Sequence, residues 1–136
     1  MQFIQNNIWL IAVAVGSGLM LLWSLLGNRL RGVKEIDTVA ALQLINHKSA
    51  LILDVREEKE FKEGHVLNAK LIPLAKLNER LAEIERYRER PIVVYCRSGQ
   101  RSAAACVALG KQGYGQVYNL AGGILAWQKA GLPLEK

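Results

Sequence analysis

The segment at residues 92–109, IVVYCRSGQRSAAACVAL, restricts the fold of this chain more than any other. It begins with an uncharged run rich in β-branched residues, which predicts a strand buried on both faces. Cys96 ends that run, a short loop rich in Gly, Ser and Arg follows, and an alanine-rich helix begins at once. Because a strand that leads directly into a helix is the building unit of α/β proteins, the segment predicts a parallel sheet.

The same alternation continues along the rest of the chain. ALILDV and QVYNL predict two more short buried strands, the first of them central in the sheet. Helices are predicted over DTVAALQLINHK with Asp37 or Thr38 as its N-cap, over EEKEFKEG, over about 74–88 and over GGILAWQKAG. Together these elements predict an α/β domain in three layers, in which helices cover both faces of a parallel sheet.

The N-terminal stretch IWLIAVAVGSGLMLLWSLL, residues 8–26, contains no charged residue. As a helix it would be roughly 28 Å long, close to the hydrocarbon thickness of a bilayer. Tryptophans lie near both of its ends, where this residue is enriched at membrane interfaces. We therefore expect residues 1–28 to comprise a short N-terminus and one transmembrane helix, residues 29–35 a linker, and residues 36–134 the α/β domain.

The charges around this stretch predict its orientation. Basic residues follow it closely, at Arg29, Arg31 and Lys34, and none precedes it. The positive-inside rule then places the N-terminus outside and the domain in the cytoplasm. A cleaved signal peptide would carry its charge before the apolar run and a small-residue cleavage site after it, so this alternative is disfavoured, as is a buried soluble helix.

The distribution of charge argues against a nucleic-acid partner. The 18 Lys and Arg residues outnumber the 12 Asp and Glu residues, which gives a net charge of +6. The basic residues are interleaved with glutamates, as in NERLAEIERYRER, and no platform of aromatic and basic side chains stands out. We interpret this pattern as a solvated helix face.

Cys96 is placed for reactivity rather than for cross-linking. A disulfide to the second cysteine, Cys106, would distort the helix that follows the loop, and two free thiols suit a reducing compartment. Ligand sites in open α/β sheets gather at the carboxyl ends of strands, where Cys96 lies. Loop N–H groups, the helix N-terminus and the guanidinium groups of Arg97 and Arg101 should form an anion cradle and lower the thiol pKa. Cys106 is interpreted as a packing residue, with a resolving disulfide as the alternative.

Three segments, taken in their order and spacing, resemble the single-domain rhodanese family from about residue 36 to residue 133. They are LILDVREEKEFKEGHVLNAKLIP, PIVVYCRSGQRSAAACVAL and GYGQVYNLAGGILAWQKAGLP. The resemblance implies a rhodanese-like α/β domain with sulfurtransferase activity. In that activity a cysteine takes sulfane sulfur from a donor as a persulfide and passes it to a nucleophilic acceptor. The resemblance implies neither a metal nor an organic cofactor.

The resemblance also implies roles for single residues. Cys96 matches the sulfur-accepting cysteine, and Asp54 and Arg56 match a pair that supports the site. The substrate-binding loop comprises Arg97, Ser98, Gly99, Gln100, Arg101 and Ser102. The donor would be a small sulfur-containing anion, such as thiosulfate, or a persulfide, and the acceptor could be a protein at the membrane.

Two positions depart from the family pattern. Asn68 stands where the family commonly has Gly, and Leu71 where it commonly has Asn. Because Asn tolerates a left-handed backbone, the first change is compatible with a turn. Nearby, we interpret His65 as a hydrogen-bonded structural histidine and, further along, Trp127 as a core residue.

Two other functions fit parts of this pattern. Phosphatases and arsenate reductases of the cysteine type also place an anion-binding loop between a cysteine and an arginine. The four residues between Cys96 and Arg101 make this loop shorter than theirs. A membrane-tethered sulfur carrier or adaptor with little turnover would use the same loop as an enzyme. The sequence predicts a sulfurtransferase and leaves the carrier open as the alternative.

Overall fold

The computed structural model describes residues 5–30 and 33–136, with side chains at all of these positions except 24–30. The chain divides after Gly32 into an N-terminal unit and a second unit, Val33–Lys136. The N-terminal unit contains one long helix, α1 (Ile8–Leu30), and its large apolar side chains are exposed as far as Trp23. The two units are described separately below.

The predicted membrane anchor is not confirmed. Among the residues that the structure describes, no helix combines the length and the apolar character needed to cross a membrane. The last three residues of the predicted span 8–26 lie among the positions whose side chains are outside the description. The same holds for Arg29, and Arg31 lies outside the described residues altogether. The anchor therefore stays a prediction.

The second unit is built on a parallel sheet. Its strands are β1 (Lys34–Ile36), β2 (Leu51–Asp54), β3 (His65–Val66), β4 (Lys70–Leu71), β5 (Ile92–Tyr95), β6 (Val117–Leu120) and β7 (Leu134–Glu135). Within residues 33–136, five of them lie in the order β1, β6, β5, β2, β4, and all neighbouring pairs are parallel. The other two, β3 and β7, form a small antiparallel pair.

Helices cover both faces of this sheet, as the alternating pattern predicts. The helices of the second unit are α2 (Thr38–Lys48), α3 (Glu58–Glu63), α4 (Gln100–Lys111) and α5 (Gly123–Lys129). Alternate residues of β5 enter two apolar clusters: Ile92 and Val94 pack in the cluster that includes α4, and Val93 and Tyr95 in the cluster that includes α2 and α5. All residues of β2 and β5 are buried, and both are inner strands; β5 is the central one, and β2, predicted as central, lies next to it.

The capping of α2 is one of the predicted details that the structure confirms. The side chain of Asp37 accepts a hydrogen bond from the N–H of Ala40, so Asp37 is the N-cap. Four short strands were not predicted: β1, β3, β4 and β7. β1 begins at Lys34, inside the predicted linker, and its pairing with β6 makes it an edge of the sheet. Strands of two or three residues are too short to show a periodic pattern.

The charged segment predicted as a helix over about 74–88 has a tighter geometry. It forms 3₁₀ helices at Leu74–Lys76 and Asn78–Tyr87, with a non-helical backbone at Arg80. Its apolar side chains recur at a spacing of mostly three residues, which matches the three residues per turn of a 3₁₀ helix. Those that pack against the α4 side of the sheet are Leu74, Leu77, Leu81, Ile84 and Tyr87.

Truncation of Ile84 tests this packing. Ile84 is fully buried, so Ile84→Ala should lower the free energy of unfolding by about 2–5 kcal/mol through lost burial and a residual cavity. Val39→Ala, at an exposed position of α2, is the control and should change it by less than about 0.5 kcal/mol. Urea denaturation measures both values, and equal effects would contradict the described packing.

Candidate active site

Cys96 lies directly after β5, at the carboxyl edge of the sheet. Its side chain points into the α4 side of the core and is 1% exposed. The neighbouring parallel strands place other polar groups at the same edge. In the strand register, Asp54 of β2 lies beside Tyr95, and Asn119 of β6 lies beside Val94. The site therefore forms where three inner strands end together, as expected for an open α/β sheet.

The loop after Cys96 folds back so that its N–H groups reach the sulfur. The N–H of Gly99 lies 3.1 Å and the N–H of Ser102 3.4 Å from Cys96 Sγ. Gly99 has a φ of +108°, a conformation that favours glycine, and it is the N-cap residue of α4. The sulfur is thus held at the start of a helix, where unpaired N–H groups favour negative charge.

These contacts change the acidity of the thiol. Burial opposes ionisation of Cys96, but the hydrogen bonds of Ser102, through side chain and backbone, and of the Gly99 and Ser98 N–H groups outweigh it. The pKa of Cys96 is consequently lowered below its usual value. For Cys106, by contrast, burial and the nearby charge of Cys96 raise the pKa to about 12. Cys106 is buried in the core cluster, in agreement with its interpretation as a packing residue.

The backbone of Cys96 is fixed from the other side by α5. The N–H of Ile124 donates to the carbonyl of Cys96 at 2.9 Å, and the N–H of Leu125 to the carbonyl of Arg97 at 3.3 Å. A side chain at Gly123 would place its Cβ 2.4 Å from the Cys96 carbonyl oxygen. The absence of a side chain at Gly123 therefore lets the start of α5 pack directly against the backbone of Cys96 and Arg97. The sequence alone did not predict this contact.

Arg101 does not point its guanidinium freely at the sulfur. Its two terminal nitrogens donate to the two carboxylate oxygens of Glu60, at 2.7 and 3.0 Å. This bidentate pair joins α3 to α4, and the hydrogen bond from Arg101 lowers the pKa of Glu60 to about 2. Glu60 is a site residue that sequence reasoning missed, because its partner is 41 residues away along the chain.

Asp54 and Arg56 make contacts with each other and with the backbone. Arg56 Nε and Nη2 donate to the Asp54 carboxylate, and Nη2 also donates to the carbonyl of Gly64 at 2.7 Å. Both residues are buried, so the ion pair is shielded from water. The pair links the end of β2 to the end of α3, and its supporting role at the site stays a prediction.

The other residues of the predicted loop differ in exposure. Arg97, Ser98 and Gln100 are exposed, whereas Ser102 is fully buried beside the sulfur. Arg97 lies at a groove of about 380 Å³ next to the site. The groove is lined by Arg56, Glu60, Glu63, Gly64, Arg97, Ile124, Leu125 and Gln128. Among the described residues, no cluster of three or more His, Cys, Asp or Glu side chains is arranged to hold a metal ion.

Several interpretations made outside the loop are confirmed. His65 is buried, stacks on the ring of Phe61 and forms hydrogen bonds with the Phe61 carbonyl and with Glu135. Trp127 is buried, and its ring N–H donates to the carbonyl of Pro133. Asn68 has a φ of +67°, so it adopts the left-handed backbone for which Asn is tolerated. Leu71 is part of β4.

Comparison with known proteins agrees with this geometry. Residues 37–130 match the family model of the rhodanese-like domain. The chain belongs to this family. A sulfurtransferase of Allochromatium vinosum is 42% identical over 103 residues, which cover 75% of this chain and 94% of that protein. Thiosulfate sulfurtransferase GlpE of Coxiella burnetii is 34% identical over 95 residues, covering 70% of this chain and 87% of that protein.

A solved structure supports the same assignment. The rhodanese-related protein from Thermoplasma volcanium superposes with a TM-score of 0.65 at 34% identity, covering 75% of this chain and 97% of that one. The predicted rhodanese fold is thereby confirmed, and so is the predicted class of enzyme, a sulfurtransferase of the rhodanese type.

Substitution of Glu60 tests the pair between α3 and α4. The folded-state pKa of Glu60 is about 2, below the ordinary value of 4.5, so its pairing stabilises the fold above pH 4.5 and is lost as the pH falls towards 2. Because the pair is partly exposed, Glu60→Gln should cost up to about 1 kcal/mol at pH 7, and the difference from wild type should vanish near pH 2.

Urea denaturation at several pH values measures this difference. Glu63→Gln removes a carboxylate from an exposed position of the same helix and serves as the matched control. A Glu60→Gln effect that is independent of pH would contradict the assigned ion pair.

Proposed function

We propose that the chain transfers sulfane sulfur through a persulfide on Cys96, with thiosulfate or a small persulfide as donor. The convergence of the Gly99 and Ser102 N–H groups on Cys96 Sγ carries this proposal. Such fixed dipoles stabilise a thiolate without a metal or an organic cofactor. The name of the Coxiella relative, thiosulfate sulfurtransferase, supports the choice of donor.

The proposed cycle has two half-reactions. The Cys96 thiolate attacks the outer sulfur of thiosulfate, the S–S bond of the donor breaks, and its electron pair leaves with sulfite. Cys96 then carries a persulfide whose outer sulfur holds the negative charge. A nucleophilic acceptor attacks that outer sulfur, the new S–S bond breaks, and the Cys96 thiolate is restored. One sulfur atom passes from thiosulfate to the acceptor, and the protein undergoes no net oxidation.

The surroundings of the loop favour sulfur transfer over phosphate chemistry. A phosphoryl group carries several charged oxygens, for which an arginine makes bidentate contacts. Here both terminal nitrogens of Arg101 donate to Glu60, so this arginine is already occupied. Arg97 is exposed at the adjacent groove and can attract a small dianion to the mouth of the site.

Intact mass measurement of the full-length chain tests the persulfide. Incubation with thiosulfate or a polysulfide should add the mass of one sulfur atom to the protein, and a reducing thiol should remove it. Cys96→Ser should abolish the addition, whereas Cys106→Ala should retain it because Cys106 is a packing residue. A wild-type thiol that remains titratable but gains no sulfur from any donor would refute the proposal.

Steady-state transfer to cyanide then separates an enzyme from a carrier. An enzyme consumes thiosulfate continuously, whereas a carrier or adaptor gains its sulfur once and keeps it until a partner arrives. The nearly complete burial of Cys96 is the observation that favours the carrier, since small acceptors in solution reach a covered site slowly. Continuous formation of thiocyanate would support the enzyme.

We also propose that α1 attaches the chain to a membrane as a single-pass helix. In this arrangement the rhodanese domain lies in the cytoplasm, and the sulfur acceptor is a protein at the membrane. The proposal is supported by the absence of charge over residues 8–26 and by the exposure of the apolar side chains of α1, including Trp9 and Trp23. It also uses the basic residues that follow this stretch.

Alkaline extraction of cell membranes tests the attachment. The full chain should stay in the membrane pellet, and Leu19→Lys should release most of it because a charge at the centre of a spanning helix costs about 3 kcal/mol. Val39→Lys places the same charge on the exposed side of α2 and should leave the distribution unchanged. Protease added to the cytoplasmic side should digest the domain. Complete extraction of the wild-type chain would refute the attachment.

A further inference from the structure

Asn119 is a fully buried polar residue near the end of β6 that neither composition nor motif spacing singled out. Its strand is the neighbour of β5 on the side opposite β2, and its register partner Val94 lies two residues before Cys96. Its side chain reaches the sulfur-binding loop at two points. Asn119 Nδ2 donates to the carbonyl of Gly99 at 3.0 Å, and Asn119 Oδ1 accepts a short hydrogen bond from Ser102 Oγ.

Chemistry fixes the direction of these two hydrogen bonds. The Gly99 carbonyl can only accept, so the amide NH₂ of Asn119 must face it. The amide oxygen then faces Ser102, and an amide oxygen can only accept, so the hydroxyl of Ser102 must donate its single proton to Asn119. The two residues that Asn119 holds, Gly99 and Ser102, are the two whose N–H groups contact Cys96 Sγ.

The Ser102 hydroxyl also lies 3.4 Å from Cys96 Sγ. While its proton is directed to Asn119, only its lone pairs face the sulfur, and they can accept the S–H of the neutral thiol. A thiolate has no proton to offer. The hydroxyl must then turn from Asn119 to the sulfur to become a further donor beside the two N–H groups.

The charged groups around the loop do not compete for this hydroxyl. Arg101 of α4 is paired with Glu60 of α3, and Asp54 is paired with Arg56. Arg97 is exposed at the adjacent groove, and Cys106 keeps its proton because burial raises its pKa to about 12. Within the described residues, the polar contacts of the Ser102 side chain are therefore to Asn119 and Cys96.

We propose that Asn119 is a positioning residue for sulfur transfer, which anchors Gly99 and holds the Ser102 hydroxyl away from Cys96 until Sγ becomes negative. In the persulfide the negative charge lies on the outer sulfur, and the hydroxyl returns to Asn119. When an acceptor removes the outer sulfur, charge develops on Cys96 Sγ, and the hydroxyl turns to stabilise the leaving thiolate. The role in turnover rests on the proposed function; the role in thiol ionisation does not.

Asn119→Asp in the full-length chain tests the proposal. The carboxylate accepts the Ser102 proton more strongly than an amide does, repels the Gly99 carbonyl and adds negative charge near the sulfur. The pKa of Cys96 should rise by at least about one unit, so the midpoint of the pH profile of iodoacetamide alkylation should move up by that amount, and alkylation well below the wild-type midpoint should slow about tenfold. Asn78→Asp makes the same chemical change at an exposed position and should leave the pH profile unchanged. An Asn119→Asp profile that coincides with wild type would overturn the proposal.

The alkylation pH profile of Ser102→Ala provides a second test. If Asn119 had only a structural role, loss of the Ser102 hydroxyl would leave this profile unchanged. This variant removes the turning hydroxyl, so the thiol pKa should rise here too, even if Asn119→Asp does not fold. In the Ser102→Ala background, Asn119→Asp should slow alkylation less than it does in wild type, by at least about threefold, because the two residues act through one contact. An unchanged Ser102→Ala profile, or independent multiplication of the two effects, would refute the hydroxyl movement.

Sulfur uptake by the same variants, measured as an increase in protein mass, distinguishes a failure of this proposal from a failure of the proposed function. If wild type takes up no sulfur but the alkylation profiles shift as stated, the sulfur-transfer proposal fails and the positioning role of Asn119 stands. If wild type takes up sulfur and the profiles do not shift, the reverse holds.

Discussion

The hydrogen bonds from the Gly99 and Ser102 N–H groups to Cys96 Sγ are the constraint on which the rest of the site depends. They require a left-handed residue at position 99 and a helix that begins directly after it. They also require that the backbone of Cys96 stay in place, which the N–H of Ile124 and the absence of a side chain at Gly123 achieve. Two segments of the chain, the continuous run from β5 into α4 and the start of α5, thus meet around one sulfur atom.

The electrostatics of the site depend on oriented dipoles more than on free charges. Two ion pairs lie beside the loop, Arg101 with Glu60 and Arg56 with Asp54, and they hold α3 against the sheet and α4. Burial alone would raise the pKa of Cys96, and hydrogen bonds to the loop reverse that effect. The N–H donors among them are fixed by the fold and need no rearrangement when a negative sulfur forms, so only the Ser102 hydroxyl turns.

Local patterns predicted those parts of the structure that local interactions determine. The burial of β2 and β5, the helix after the loop and the position of Cys96 at a strand end all follow from short runs of residue types. Strands of two or three residues were missed, because runs so short show no periodic pattern. The helix over about 74–88 was predicted, but its 3₁₀ geometry was not. Apolar residues three positions apart resemble the spacing of an α-helix over a few turns.

The partners of the site residues could not be predicted, because the fold brings them from distant segments. Glu60 contacts Arg101 across 41 residues, and Asn119 contacts Gly99 across 20. From the sequence alone, Arg101 near Cys96 was predicted to bind the substrate anion. The structure shows that its guanidinium group is paired with Glu60.

The burial of Cys96 also constrains how sulfur can move. Its side chain is almost completely covered, so a donor and an acceptor reach the site in turn: Cys96 first takes the outer sulfur of the donor, and the acceptor later removes that same outer sulfur. Two successive reactions at one atom require an intermediate that survives between them. The fixed N–H donors stabilise the negative Cys96 Sγ before the first reaction and again after the second. The fold therefore places its charges in ion pairs beside the loop and its N–H dipoles at the sulfur.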